Sequence, residues 1–140
     1  MCRSRQSAGW PGLRHATGTP TNETTRSLTL AEVPGSRLTH TPVYVLTSAR
    51  TFSGGEEFAY NLKHLQRATL VGETTAGAAH LIDKRRLDEL FVIRVPTGRP
   101  INPITGTSWE VVGVEPDVRT HANDALRVAH GLARARAGRS

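Results

Sequence analysis

From Thr41 onward, short apolar runs alternate with amphipathic ones. "PVYVLTS" (42–48) is a brief β-branched run and predicts a buried strand. In "GGEEFAYNLKHL" (54–65), Phe58, Leu62 and Leu65 recur at i, i+4 and i+7, which predicts a helix with these three on its inner face. "RATLVGE" (67–73) predicts a second strand closed by Gly72, "TTAGAAH" (74–80) a glycine-containing loop, and "ELFVIRVP" (89–96) a third strand. "PINPITGTSW" (100–109) carries turn signals at Pro100, Pro103 and Gly106. "NDALRVAHGLARARAG" (123–138) predicts a closing helix. Asn123 is its expected cap, Ala125, Val128 and Leu132 its apolar face, and the last arginines suit its C-terminal dipole. Strands alternating with helices indicate an α/β core.

Residues 1–40 lack this periodicity. "TGTPTNETTRS" (17–27) is polar throughout and "AEVPGSR" (31–37) carries a Pro-Gly turn signal, so the segment is expected to be irregular apart from a short strand near residues 27–30. The organisation expected is therefore an irregular segment, 1–40, followed by an α/β portion, 41–137.

Composition narrows the function classes. At 140 residues the chain holds about one domain. Aromatics are only 5%, which argues against a base-stacking nucleic-acid surface. The net charge of +6 comes from scattered arginines with no nucleic-acid motif, so it reads as solvated faces and tails. A single cysteine, Cys2, excludes an internal disulfide and a cysteine-based zinc site. The six histidines show no metal-binding spacing, and no metal or organic cofactor is implied. No apolar run approaches the ~20 residues of a membrane span. The start "MCRSRQSAGW" lacks a signal-peptide core, so a cytoplasmic location is the default expectation.

The chemistry centres on "TSARTFSGGEEFAYNLKHL" (47–65), where Ser53 stands between a strand-like and a helix-like run. One reading is structural: "SGGE" fits a capping box, with serine at the N-cap and Glu56 at N3. The other is catalytic. A serine at a helix N-terminus meets outward-pointing N–H groups and the positive end of the helix dipole. The Gly54 N–H would then hold a developing oxyanion, and Gly54 and Gly55 would leave room for a substrate backbone. A serine hydroxyl needs a base nearby, and "TFSGGEE" supplies none. Thr51 stands where a G-x-S-x-G elbow would have its first glycine.

"PVYVLTSARTFSGGEEFAYNLK", "RATLVGETTAGAAH" and "INPITGTSWEVVGVEPDV", in this order and spacing, resemble the C-terminal half of the tail-specific (C-terminal-processing) serine peptidases. The similarity is strongest to the branch holding the tricorn core protease and the interphotoreceptor retinoid-binding modules. The resemblance implies a ClpP/crotonase-like spiral of strand–strand–helix units, here incomplete. It implies Ser53 as nucleophile, Gly54 as an oxyanion-hole donor, and Glu110 as a carboxylate supporting a histidine base. Read alone, Glu110 is an exposed strand-end carboxylate. Gly55, Gly77 and His80 are expected along the substrate cleft, and "GVEPD" as a structural turn at Pro116 and Asp117.

In the Ser/Lys branch a lysine follows the glycine of the "VGExTxG" loop. Ala78 occupies that position here, and Lys84 has no spacing that returns it to the serine. The upstream histidine of the tricorn-like branch is not recognisable among residues 1–40, where His15 and His40 lie in unlike surroundings. The implied partner is a peptide or unstructured polypeptide, and such families often assemble as homo-oligomers. Two alternatives stay open: a non-catalytic ligand- or peptide-binding module of the same fold, and an inactive truncated remnant.

Overall fold

A computed structural model describes residues 13–17, 24–27, 32 and 34–138. Contacts divide the chain into two units: residues 1–39 with 80–108, and residues 40–79 with 109–140.

The first unit is an antiparallel sheet. Strands β1 (Leu13–Thr17), β2 (Thr24–Ser27), β5 (Leu81–Arg86) and β6 (Val92–Ile101) lie in the order β2-β1-β6-β5. The expectation of an irregular 1–40 segment is corrected by β1 and β2. Local propensity is weak in "LRHAT" and "TTRS", but β1 lies between β2 and β6 and its backbone bonds are satisfied by both. The strand expected at residues 27–30 falls mostly outside the described residues. β5 is also unforeseen. "LIDKRR" has no clean alternation, and it is exposed throughout, held by its ladder to β6. The predicted turn follows β6: Asn102 Oδ1 accepts the N–H groups of Ile104 and Thr105 at 2.9 and 3.3 Å, an Asx turn.

The second unit carries strands β3 (Tyr44–Thr47), β4 (Thr69–Gly72) and β7 (Val118–Arg119), parallel and in that order, with helices α1 (Gly54–His64) and α2 (Ala122–Ala137). α2 packs as its pattern predicts. Ala125 and Ala129 are buried with Val71, and Val128 and Leu132 flank them. Its N-cap is His121, two residues before the expected Asn123, because the chain leaves β7 directly into the helix.

The predicted inner face of α1 is corrected. Its buried residues are Glu56, Ala59 and Tyr60, while Phe58 is exposed. Ala59 and Tyr60 join Leu70, Ala79, Trp109 and Val114 in the core, and the Tyr60 and Trp109 rings lie 5.3 Å apart. The helix is rotated from its hydrophobic stripe because a carboxylate, Glu56, must point inward. "GVEPD" ties elements together: Asp117 Oδ2 accepts the Leu70 N–H at 2.8 Å, and the Asp117 N–H donates to Leu70 O at 2.9 Å.

β3 and β4 are packed so closely that Gly72, at φ 139°, admits no side chain. A Cβ there would lie 1.9 Å from Thr47 O. Gly72→Ala should therefore destabilise the fold by on the order of 3 kcal/mol, read as a fall in the urea midpoint.

Candidate functional site: a strained serine over a buried carboxylate

The carboxyl ends of the parallel strands set the site. β3 ends at Thr47, and residues 48–53 carry the chain to the start of α1. Ser48 and Thr51 bond across this loop: Ser48 N–H donates to Thr51 Oγ1 at 3.0 Å and Thr51 N–H to Ser48 O at 2.9 Å.

Ser53 is exposed and sits at φ 51°, ψ −118°. An N-cap ordinarily has extended backbone angles. Positive φ is uncommon for a residue with a side chain, and holding it costs about 1–3 kcal/mol. The capping box does form: Ser53 N–H donates to Glu56 Oε2 at 2.9 Å. Capping alone does not account for these angles, since extended ones would serve it. Behind Ser53, the Gly55 N–H donates to Phe52 O, and those of Glu56 and Glu57 to Ser53 O. The Gly54 N–H has no acceptor among the described residues, and open space lies around its Cα.

Glu56 organises what lies beneath. Its side chain is fully buried. Oε1 accepts Thr75 Oγ1–H at 2.5 Å and Gly77 N–H at 2.6 Å, and Oε2 accepts Ala78 N–H at 2.9 Å besides that of Ser53. Thr75 Oγ1 in turn accepts the Val114 N–H at 2.7 Å. Burial alone pushes the Glu56 carboxyl up. The hydrogen bonds from Thr75, Ala78, Gly77 and Ser53 outweigh it and hold the group below the usual carboxylate range.

The 74–79 loop thus hangs on α1, and residues 109–113 hang on the loop. Trp109 Nε1–H donates to Ala78 O at 3.3 Å, Ala79 N–H to Glu110 Oε2 at 2.5 Å, and Val111 N–H to Gly77 O at 2.9 Å. Gly77, at φ 86°, passes so near this segment that a Cβ would lie 2.8 Å from Val111 C and O. Val112 N–H donates to Glu110 O at 2.8 Å across Val111, which stands at φ 69°. This is a γ-turn with positive φ at its centre, a rare and strained form.

The sequence profile of peptidase family S41 matches residues 9–120. The chain belongs to peptidase family S41. Among solved structures, this S41 chain resembles the photosystem II D1 C-terminal processing protease at 22% identity and a TM-score of 0.66, over 91% of this chain and 32% of that one. It resembles a lipoprotein from Streptococcus agalactiae at 20% identity and a TM-score of 0.64, over 90% of this chain and 45% of the other. Mature CPAF matches at 28% identity and a TM-score of 0.52, over 60% of this chain and 17% of that protein. The S41 chain therefore spans under half the length of these relatives.

Of the residues singled out from sequence, Ser53, Gly54, Gly55, Gly77 and Glu110 fall in one unit of the S41 chain, joined through Glu56 and the 74–79 loop. His80 is exposed and belongs to the other unit, as does Lys84. The remaining lysine, Lys63, ends α1 and is engaged by Glu115 O at 2.6 Å and the Asp117 carboxylate at 3.4 Å. His64 stacks edge-on against Tyr60.

Two features escaped sequence reading. Glu56 looked like half of a cap, and nothing in "SGGE" announces its burial. The second is a cleft of about 350 Å³ lined by Gly72, Glu73, Thr74, Arg119, Thr120 and His121, beyond the ends of β4 and β7. There Glu73 accepts the N–H groups of Ala49 and Ala122, and these bonds hold its carboxyl below the usual range. Among the described residues no cluster of three histidine, cysteine or acidic side chains could hold a metal, and no helix is long and apolar enough to cross a membrane.

Proposed function

We propose that this chain is the nucleophile-bearing part of a serine peptidase that hydrolyses peptide bonds through an acyl-enzyme on Ser53. One observation carries the reading: an exposed serine held in strained geometry at the mouth of α1, directly before an N–H group with no acceptor among the described residues. Strain that a structural cap does not require points to function.

In the reaction, Ser53 Oγ attacks the scissile carbonyl carbon while its proton passes to a base. The carbonyl oxygen becomes an oxyanion, and Gly54 N–H and the positive end of α1 stabilise it. The intermediate collapses, the leaving amine takes the proton, and water then hydrolyses the acyl ester. Open space at Gly54 leaves room for a peptide backbone, whereas the missing side chains of Gly55 and Gly77 make room for Thr51 and Val111 of the chain itself. Glu110 belongs to the resemblance with the tricorn-like branch, where it supports a histidine. Its anchorage to Ala79 suits a positioning role. Glu110→Gln retains an oxygen for that N–H and is expected to slow peptide hydrolysis with the melting temperature almost unmoved.

No base is assigned in this reading: Ala78 stands at the lysine position, and Lys63 is engaged. The ClpP/crotonase-like spiral of the larger relatives is the frame in which such a group would arrive. The same observation favours a second reading, a binding module with the serine geometry but no base. Labelling with a serine-reactive fluorophosphonate between pH 6 and 9, mapped by peptide mass spectrometry, separates the two. Modification at Ser53 is expected. A folded sample left unmodified would support the binding module.

A further inference from the structure

Among the described residues, β1 meets β6 only at residues 98–101. From Pro96 toward the turn, β5 is the strand beside it, and the two form a ribbon. A two-stranded ribbon is marginal by itself in water and needs a further strand or a packed face. Its turn is nevertheless well made. Asp88 Oδ1 accepts the N–H groups of Leu90 and Phe91 at 2.7 and 2.8 Å, and the Arg86 guanidinium donates to Asp88 O and Glu89 O.

The ladder fixes which side chains share a face. Neighbours along a strand alternate, and directly opposed residues lie on one side. Asp83 opposes Val95, Arg85 opposes Ile93, and one step on Leu87 N–H donates to Phe91 O at 3.0 Å. These six lie on one face, and the Asp83 carboxylate accordingly stands 3.3 Å from the Arg85 guanidinium. Leu81 joins them by alternation along β5. The other face holds Lys84, Arg86, Val92 and Arg94. Charge on an exposed strand guards against stray edge pairing, which accounts for that second face. It does not account for the first, where Leu81, Leu87, Phe91, Ile93 and Val95 are between 36% and 66% exposed.

We propose that this face is the contact by which two copies of the chain pair, ribbon on ribbon about a twofold axis. The apolar patch is on the order of 500 Å², large for a monomer surface. Two such patches face to face remove about 1,000 Å² from water, the lower end for a specific interface. The charges select the occupant. The face carries one carboxylate and one guanidinium, so a uniformly acidic or basic partner meets repulsion at one of them. A twofold axis across the ribbon at the Lys84–Arg94 pair sets Asp83 of each copy on Arg85 of the other, Ile93 on Val95, and Leu81 on Leu87. Every pair is then matched, opposite charge on opposite charge and hydrocarbon on hydrocarbon. The inference does not depend on the reading of Ser53.

Sedimentation velocity of the full chain, at on the order of 100 μM, tests it. A dimer is expected. Ile93→Thr with Val95→Thr keeps strand-forming residues while removing hydrocarbon, and should weaken the dimer about tenfold or more. Asp83→Arg alone, and Arg85→Asp alone, each set like charges against each other across the axis and should weaken self-association at least about tenfold. Mixing these two single variants should restore a dimer holding one copy of each. No effect of the swaps within one chain produces that recovery, so the mixture decides even where the threonine variant does not fold. A monomeric wild-type chain would mean that something other than a second copy covers the ribbon, and overturns the proposal. So does a dimer indifferent to both single swaps, or a mixture of them that stays monomeric.

Discussion

Ser53→Ala is expected to reduce fluorophosphonate capture and any peptide hydrolysis to background, while the protein stays folded. Removing the hydroxyl removes the atom that forms the covalent bond. Alanine inherits the same φ of 51° and so relieves little strain. Loss of the cap costs about 1 kcal/mol. Ser53→Gly separates the two roles more sharply. Glycine adopts these angles freely, so this variant should be more stable than the alanine variant by about 1 kcal/mol and equally inert. Hydrolysis at an undiminished rate in folded Ser53→Ala, measured by release of a quenched fluorophore, would place the chemistry elsewhere.

Glu56→Gln should have the largest effect on stability. The carboxylate accepts from four donors: the Thr75 hydroxyl and the N–H groups of Ser53, Gly77 and Ala78. A glutamine keeps one acceptor oxygen and turns an NH₂ group toward donors. Each buried donor left unsatisfied costs about 1–3 kcal/mol, so a loss of roughly 3 kcal/mol or more is expected in urea unfolding. Because the folded-state carboxyl is more acidic than the unfolded one, its contribution is complete above the ordinary carboxylate range. It is lost as pH falls through the lower folded value. The wild-type urea midpoint should therefore drop below about pH 4, and Glu56→Gln should lack that part of the dependence. A midpoint unchanged by the substitution would show that the loop does not hang on this group. The same variant should weaken labelling at Ser53, since the Ser53 N–H loses its acceptor.

The α/β character was legible wherever a local period existed. "PVYVLTS" and "RATLVGE" became adjacent parallel strands, and Ala125, Val128 and Leu132 mark the inward face of α2. Where stability comes from distant pairing, the pattern was silent. β2 is held by β1, and β1 by β2 and by β6, whose partners lie 81 to 87 residues away along the chain (Thr17 with Gly98, Arg14 with Ile101). α1 shows the conflict directly: its apolar spacing nominates Phe58, yet the helix turns Glu56 inward because three backbone N–H groups and a hydroxyl converge there.

The sequence by itself determined the family, through three ordered motifs, and it nominated Ser53, Gly54 and Glu110, because short motifs carry residue identity and spacing directly. Only the tertiary structure decided that Ser53 is strained and exposed, that Glu56 is the buried hub, and that Val111 stands in a γ-turn tied to the serine loop. Backbone angles and burial arise from segments dozens of residues apart closing on one carboxylate, and no local window of residues contains that convergence.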